Sequence, residues 1–161
     1  MLPLHRVLRL YFDEWRIDMS NDRKYFTLKG YALLENNVIT ASMEDYLEMI
    51  YRMNEKGEVV RISALAENLN VRPSSATKMV GNLKEHGLVS SERYGYIRLT
   101  DSGDELGKYL VFRHDTLHQL LCYINQSNNE LEQVEKIEHF INVETINNIR
   151  KLMDGLDTPS H

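Results

Sequence analysis

Between Ile62 and Leu99 the chain switches from helical to strand periodicity in one short stretch, and few folds accept that order. Ile62, Leu65, Ala66 and Leu69 recur at helical spacing and predict a short helix beginning at Ser63. Asn70 and Val71 break it. Pro73 suits the first position of a following helix, where its missing N–H costs nothing, and Ala76, Met79, Val80 and Leu83 form an inward stripe that ends at Gly87. Leu88 to Glu92 and Tyr96 to Leu99, on either side of the turn Arg93-Tyr94-Gly95, then read as a β-hairpin. Two short helices joined tightly and followed by a hairpin make a winged helix-turn-helix.

Once that stripe is buried, the second helix exposes Ser74, Ser75, Thr77, Lys78 and Asn82, with Arg72 at its start. These are short or flexible hydrogen-bonding groups, suited to a DNA major groove. Arg93 and Tyr94 at the hairpin tip have the reach for phosphate or minor groove. A solvated helix face and a solvated turn are the plain alternatives. The formal net charge of -5 counts against a polyanionic partner, but it is unevenly spread. From Gly57 to Thr100 the basic residues Arg61, Arg72, Lys78, Lys84, Arg93 and Arg98 outweigh the acidic ones. After Glu130 the balance is acidic, so one half suits a polyanion and the other a cation.

The remaining periodicity is helical, and the chain as a whole reads as mainly α. Ser42 with Asp45 resembles a capping box that opens a helix through Met43, Tyr46, Leu47, Ile50 and Tyr51 to about Met53. Thr100 or Ser102 caps a long helix in which Leu106, Leu110, His114, Leu117 and Leu121 share one face up to about Ile124. Helices from Glu130 to Ile141 and from Val143 to Leu156 complete it. A winged-helix DNA-binding domain over 41–104 and an all-helical domain over 105–157 are expected. Residues 1–40 form an amino-terminal extension without an assignable role. Leu4, Val7, Leu8, Tyr11, Phe12 and Trp15 are compatible with a short amphipathic helix, and equally with sequence upstream of a true start at Met19 or Met43. No signal-peptide pattern and no apolar run of about 18 residues occur, so a cytoplasmic protein without membrane insertion is expected. The single Cys122, in an apolar stretch, is expected to be a small buried hydrophobe, in keeping with a reducing compartment.

Asp45 and Glu48 lie three apart, His114 stands on an apolar stripe, and Glu135, Glu138 and His139 occupy little more than one turn. Each set faces one way on its helix, so the three stretches can converge as a six-ligand site for a divalent cation. An oxygen-rich set with two histidines favours manganese or ferrous iron. Taken singly, His114 reads by default as a satisfied core histidine, and the glutamates as exposed charges. Against that, Glu138 and His139 flank the buried side marked by Val134, Ile137 and Ile141, where carboxylates repel unless a cation joins them. No Glu-x-x-His pair, His-Glu-x-x-His, phosphate loop or nucleophile elbow is present, so an enzyme is not expected.

The stretches Ser42–Tyr51, Arg72–Val80, Gly107–His114 and Val134–His139 together resemble the manganese-responsive branch of the diphtheria toxin repressor family. That resemblance spans about Ser42 to Leu156. It implies a homodimeric, Mn2+-dependent transcriptional repressor on a palindromic double-stranded DNA operator, controlling manganese homeostasis. Its ligands fall on Asp45, Glu48, His114, Glu135, Glu138 and His139. Iron-sensing members hold methionine and cysteine where this chain has Asp45 and Glu135, and hard oxygen at both places suits manganese. Ferrous iron or another divalent metal, and a metal-independent winged-helix regulator, are the alternatives. The resemblance further implies that the chain lacks the SH3-like domain of the longer iron repressors.

Overall fold

The structure, a computed structural model, describes residues 39–91 and 95–157. Helix α1 (Ala41–Glu55) is capped two residues ahead of the expected cap, Ser42. Its N-cap is Thr40, extended in backbone, whose hydroxyl accepts from the Met43 N–H at 3.3 Å. The Ser42–Asp45 capping box is therefore not formed: Ser42 is already helical, and Asp45 lies outside the cap.

Helices α2 (Ile62–Asn68) and α3 (Pro73–Glu85) follow as the helix-turn-helix pair. Asn70 takes the left-handed conformation in the turn, φ 52°, where its short polar side chain is tolerated. Pro73 opens α3 as expected, and Ala76, Val80 and Leu83 are buried beneath it. Strands β1 (Val89–Ser91) and β2 (Ile97–Leu99) pair antiparallel, Val89 opposite Leu99. An Arg61–Tyr96 bridge and the Ile97 N–H to Val60 carbonyl bond at 2.9 Å tie the hairpin to the entrance of α2. The tip residues Arg93 and Tyr94, like residues 1–38, lie outside the described residues.

Helix α4 (Asp101–Asn125) is the spine. The Thr100 hydroxyl caps it, accepting from the Gly103 N–H at 3.1 Å and donating to the Gly87 carbonyl at 2.6 Å. At 1.5 Å per residue it is about 37 Å long, enough to enter two cores in turn. Leu110 joins the first, with Leu47, Ile50, Leu65, Ala76 and Leu83. Leu117 joins the second, with Val134 and Ile146. Two glycines let α4 lie directly on its neighbours. A Cβ at Gly107 would meet Tyr51 Cβ at 2.8 Å, and one at Gly103 would meet the Leu88 carbonyl oxygen at 1.8 Å.

The expected helix from Glu130 to Ile141 is divided. Helix α5 (Leu131–Ile137) gives way to a single 3-10 turn (Glu138–Phe140), and α6 (Val143–Asp157) follows. Glu138, expected beside the buried stripe, lies within it at 1% exposure. It stands one turn after Val134 on the same row, and Arg113 and His114 opposite make burial of its carboxylate tolerable. Cys122 is only half-buried, with Sγ 3.5 Å from His118 Nε2, because α4 runs past the second core before it ends.

Candidate metal centre

Each of the six expected ligands is placed by a local feature already described. Helix α1 presents Asp45 and Glu48 one turn apart, α4 presents His114, α5 presents Glu135, and the 3-10 turn presents Glu138 and His139. His114 Nδ1 lies 3.3 Å from Glu138 Oε2, 3.7 Å from Glu48 Oε1 and 3.8 Å from Glu135 Oε1. His139 Nε2 lies 3.0 Å from Asp45 Oδ1 and 3.9 Å from Glu138 Oε1. Five of the six fall into two overlapping groups, and Glu135 stands beside the first through His114. Glu48, His114 and Glu138 form one and Asp45, Glu138 and His139 the other, with Glu138 common to both.

Two buried atoms show that this cluster fits a cation. His114 Nδ1 and Glu138 Oε2 have no hydrogen-bond partner among the described residues, although only 3.3 Å separates them. Unpartnered buried polar atoms are costly. Two ligands held at about 2.1 Å by an octahedral ion are themselves about 3 Å apart, close to the separation found. A cavity of about 330 Å3 is lined by Asp45, Glu48, His114, Glu135 and Glu138 together with Arg52.

The electrostatics point the same way. Burial raises the Glu48 carboxyl above its usual pKa, and Glu138 adds to this against the opposing pull of Arg52 and His114. Partial burial and then Glu138 likewise raise Glu135, which is otherwise the most exposed of the set. The Glu138 carboxylate raises His114 despite burial. His139 is raised to about 10, first by Asp45 and then by Glu44.

Three charged neighbours were missed by sequence reasoning. Glu44 Oε2 accepts from His139 Nδ1 at 2.7 Å and from Arg113 Nη2 at 2.9 Å. Arg113 is 3% exposed, and its Nε, without a hydrogen-bond partner, lies 3.9 Å from Glu138 Oε2. Arg52 donates from Nε to Glu48 Oε1 at 2.8 Å and from Nη2 to Asp115 at 3.3 Å. Arg113 had a signal: it lies three residues after Leu110 and four before Leu117, on the inward face of α4. Glu44 and Arg52 had none beyond adjacency in sequence or helix to Asp45 and Glu48.

Of the residues assigned to DNA, those described lie on α3 and at its N-cap, Arg72. Arg72, Ser74, Ser75, Thr77 and Lys78 are exposed, and Asn82 is half-buried. The Thr77 hydroxyl already donates to the Pro73 carbonyl at 2.9 Å. A groove of about 450 Å3 separates this face from α1, with Ser42 and Asp45 on one side and Ser75, Lys78 and Asn82 on the other. No helix among the described residues is long and apolar enough to cross a membrane.

Residues 38–97 match the family described as iron dependent repressor, N-terminal DNA binding domain. The HTH-type transcriptional regulator MntR of Oceanobacillus iheyensis is 40% identical over 116 residues, 71% of this chain and 79% of the relative. That of Bacillus subtilis is 41% identical over 115 residues, 71% and 81% of the two chains. Among solved structures, the manganese regulator SloR superposes with a TM-score of 0.64 at 24% identity, covering 72% of this chain and 55% of that one. The IdeR of T. acidophilum gives 0.56 at 26% identity, covering 69% and 53%. The chain therefore spans just over half the length of these two solved proteins.

Proposed function

The chain belongs to the MntR family of HTH-type transcriptional regulators, and from that premise we propose that it is a Mn2+-dependent repressor whose metal ligands are Asp45, Glu48, His114, Glu135, Glu138 and His139. It is a DNA-binding regulator and not an enzyme. Its targets are genes of manganese homeostasis, above all those for uptake, and it acts in the cytoplasm.

The observation that carries this reading is the facing pair of unpartnered buried atoms, His114 Nδ1 and Glu138 Oε2, with Glu48 and Glu135 beside them. Bound Mn2+ supplies a concentrated positive charge that offsets the mutual repulsion of these carboxylates. The consequence lies in the elements that bear them. Asp45 and Glu48 are on α1, which packs on α3, whereas His114, Glu135, Glu138 and His139 are on α4, α5 and the 3-10 turn. With the repulsion offset, α1 and the recognition helix it supports are fixed against α4. Without it, α1 loses part of its hold on α5 and the 3-10 turn, and more order must be imposed when DNA binds. Hard oxygen from Asp45 and Glu135 supports manganese over iron. Glu138, offering Oε2 to one group and Oε1 to the other, supports two ions per chain.

Residues 41–104 form the DNA-binding domain, with Arg72, Ser74, Ser75, Thr77, Lys78, Asn82, Arg93 and Tyr94 facing the operator. Residues 105–157 form the dimerisation and metal-binding domain. The exposed apolar side chains Phe140, Val143, Leu152 and Leu156 support a second copy of the chain as partner. A two-fold homodimer places its recognition helices for a palindromic operator, whose half-sites lie about one DNA turn apart. Duplexes selected from a random library in Mn2+ test this directly. Their affinity should fall sharply when the ion is replaced by EDTA, and equal affinity in both would favour a metal-independent regulator. A stronger response to Fe2+ than to Mn2+ would favour an iron regulator.

A further inference from the structure

We propose that Glu44 is the positioning residue for His139, holding its ring from the Nδ1 side so that Nε2 faces the ion, and that buried Arg113 fixes Glu44 in that place. The inference rests on the metal-binding reading and deepens it. Glu44 and Asp45 are consecutive on α1, so their side chains diverge by about 100°, and the His139 imidazole lies between them. Each carboxylate takes one ring nitrogen: Asp45 stands 3.0 Å from Nε2, and Glu44 stands 2.7 Å from Nδ1. An ion on Nε2 displaces only the Asp45 contact. The Glu44 contact persists and sets which nitrogen keeps its hydrogen, the task a carboxylate behind a metal-bound histidine performs.

Glu44 is suited to that task and not to ligation. Its Oε2 already accepts from both Nδ1 and Arg113 Nη2. Arg113 Nη2 also lies 3.2 Å from Nδ1, but with the Nδ1 hydrogen directed to Glu44 both nitrogens are donors, so this is a packing contact. Arg113 comes from α4, Glu44 from α1 and His139 from the 3-10 turn. The guanidinium thus holds the positioning carboxylate from a third element, at 4% side-chain exposure.

Three variants test this in the full chain. Mn2+ affinity is read by competition with a fluorescent chelator, and the His139 ring nitrogens by NMR of the Cd2+-loaded protein. Glu44→Ala should lose about 10–100-fold in Mn2+ affinity, and its Nδ1 should no longer be the uniformly hydrogen-bearing nitrogen. Glu44→Gln retains a carbonyl acceptor and should keep most of the affinity and the wild-type ring state. The double variant E44A/R113M removes the buried cation along with its partner, so a matching loss there cannot be attributed to a stranded charge. Wild-type affinity and ring state in Glu44→Ala, even with a lowered melting temperature, would overturn the positioning role and leave the metal site standing. Failure of the wild-type chain to bind Mn2+ at all would instead remove the reading beneath it, and this inference with it.

Discussion

Raising the pH from about 6.5 to 8.5 should tighten Mn2+ binding by at least a hundredfold. In the metal-free protein the His139 ring is held protonated between Asp45 and Glu44, and its pKa stands at about 10. Ligation through Nε2 must displace that proton, so apparent affinity rises about tenfold per pH unit wherever the ring remains protonated. Two units yield about a hundredfold, and His114, itself raised by Glu138, adds to the slope. The sign for stability is opposite. The folded pKa lies above the unfolded value of about 6.5, so the His139 contribution to the metal-free fold is complete below that pH and is lost as pH rises towards 10. The melting-temperature gain on adding Mn2+ should accordingly widen between pH 6.5 and 8.5. Calorimetric titration in buffers of different ionisation heat counts the released protons, and thermal melts follow the stability. Flat affinity with no proton released across this window would show that His139 is not a ligand.

Other consequences are independent of pH. Glu138→Gln should abolish most Mn2+ uptake in equilibrium dialysis, because that carboxylate serves both ligand groups, whereas Glu48→Gln should spare the Asp45–Glu138–His139 group and retain about half. Equal stoichiometry in the two variants would exclude a shared Glu138. Asp45→Met should weaken the preference for Mn2+ over Fe2+ in a DNA-binding titration, since a soft thioether replaces hard oxygen, and unchanged selectivity would contradict that assignment. Lys78→Ala should lower operator affinity and reduce the salt slope by about one without altering Mn2+ affinity, an unchanged slope removing Lys78 from the phosphate contacts. Gly103→Ala should lower the urea stability by about 1–3 kcal/mol, as the new Cβ would stand 1.8 Å from the Leu88 carbonyl oxygen. A gain of about 1 kcal/mol, the helix-propensity effect alone, would mean that α4 shifts at no cost.

Most of the fold was legible because local signals agreed with tertiary packing. Pro73, the Ala76–Val80–Leu83 stripe and the Leu110–Leu117 row each specify an element and its inward face. What periodicity could not specify was depth. Val134 and Glu138 share a row, but a glutamate there reads as an edge residue until Arg113 and His114 are seen opposite it. The Thr40 cap was passed over because Ser42 three residues before Asp45 has the same local grammar, and only backbone geometry chooses between them. In the candidate site, the six proposed ligands could be picked from spacing and resemblance. The cations between them could not, because Arg52 and Arg113 act across elements, and a charge that is exposed or buried has the same letter.

The position of α1 explains how so small a cluster can influence DNA binding. One turn of this helix carries Glu44, Asp45 and Glu48 towards α4 and the 3-10 turn, while Leu47 and Ile50 are fully buried in the core that also takes Ala76 and Leu83 of α3. Close packing makes that core stiff, so a displacement of α1 is passed to α3 and is not absorbed between them. On its other side α1 meets α4 through Gly107, where no Cβ intervenes between the helices and Tyr51 lies against the backbone. The same contact that brings Glu48 within reach of His114 therefore sets the angle of the recognition helix. In the proposed switch, a change of charge at the candidate ligands is passed through this shared core towards the face bearing Ser75 and Lys78.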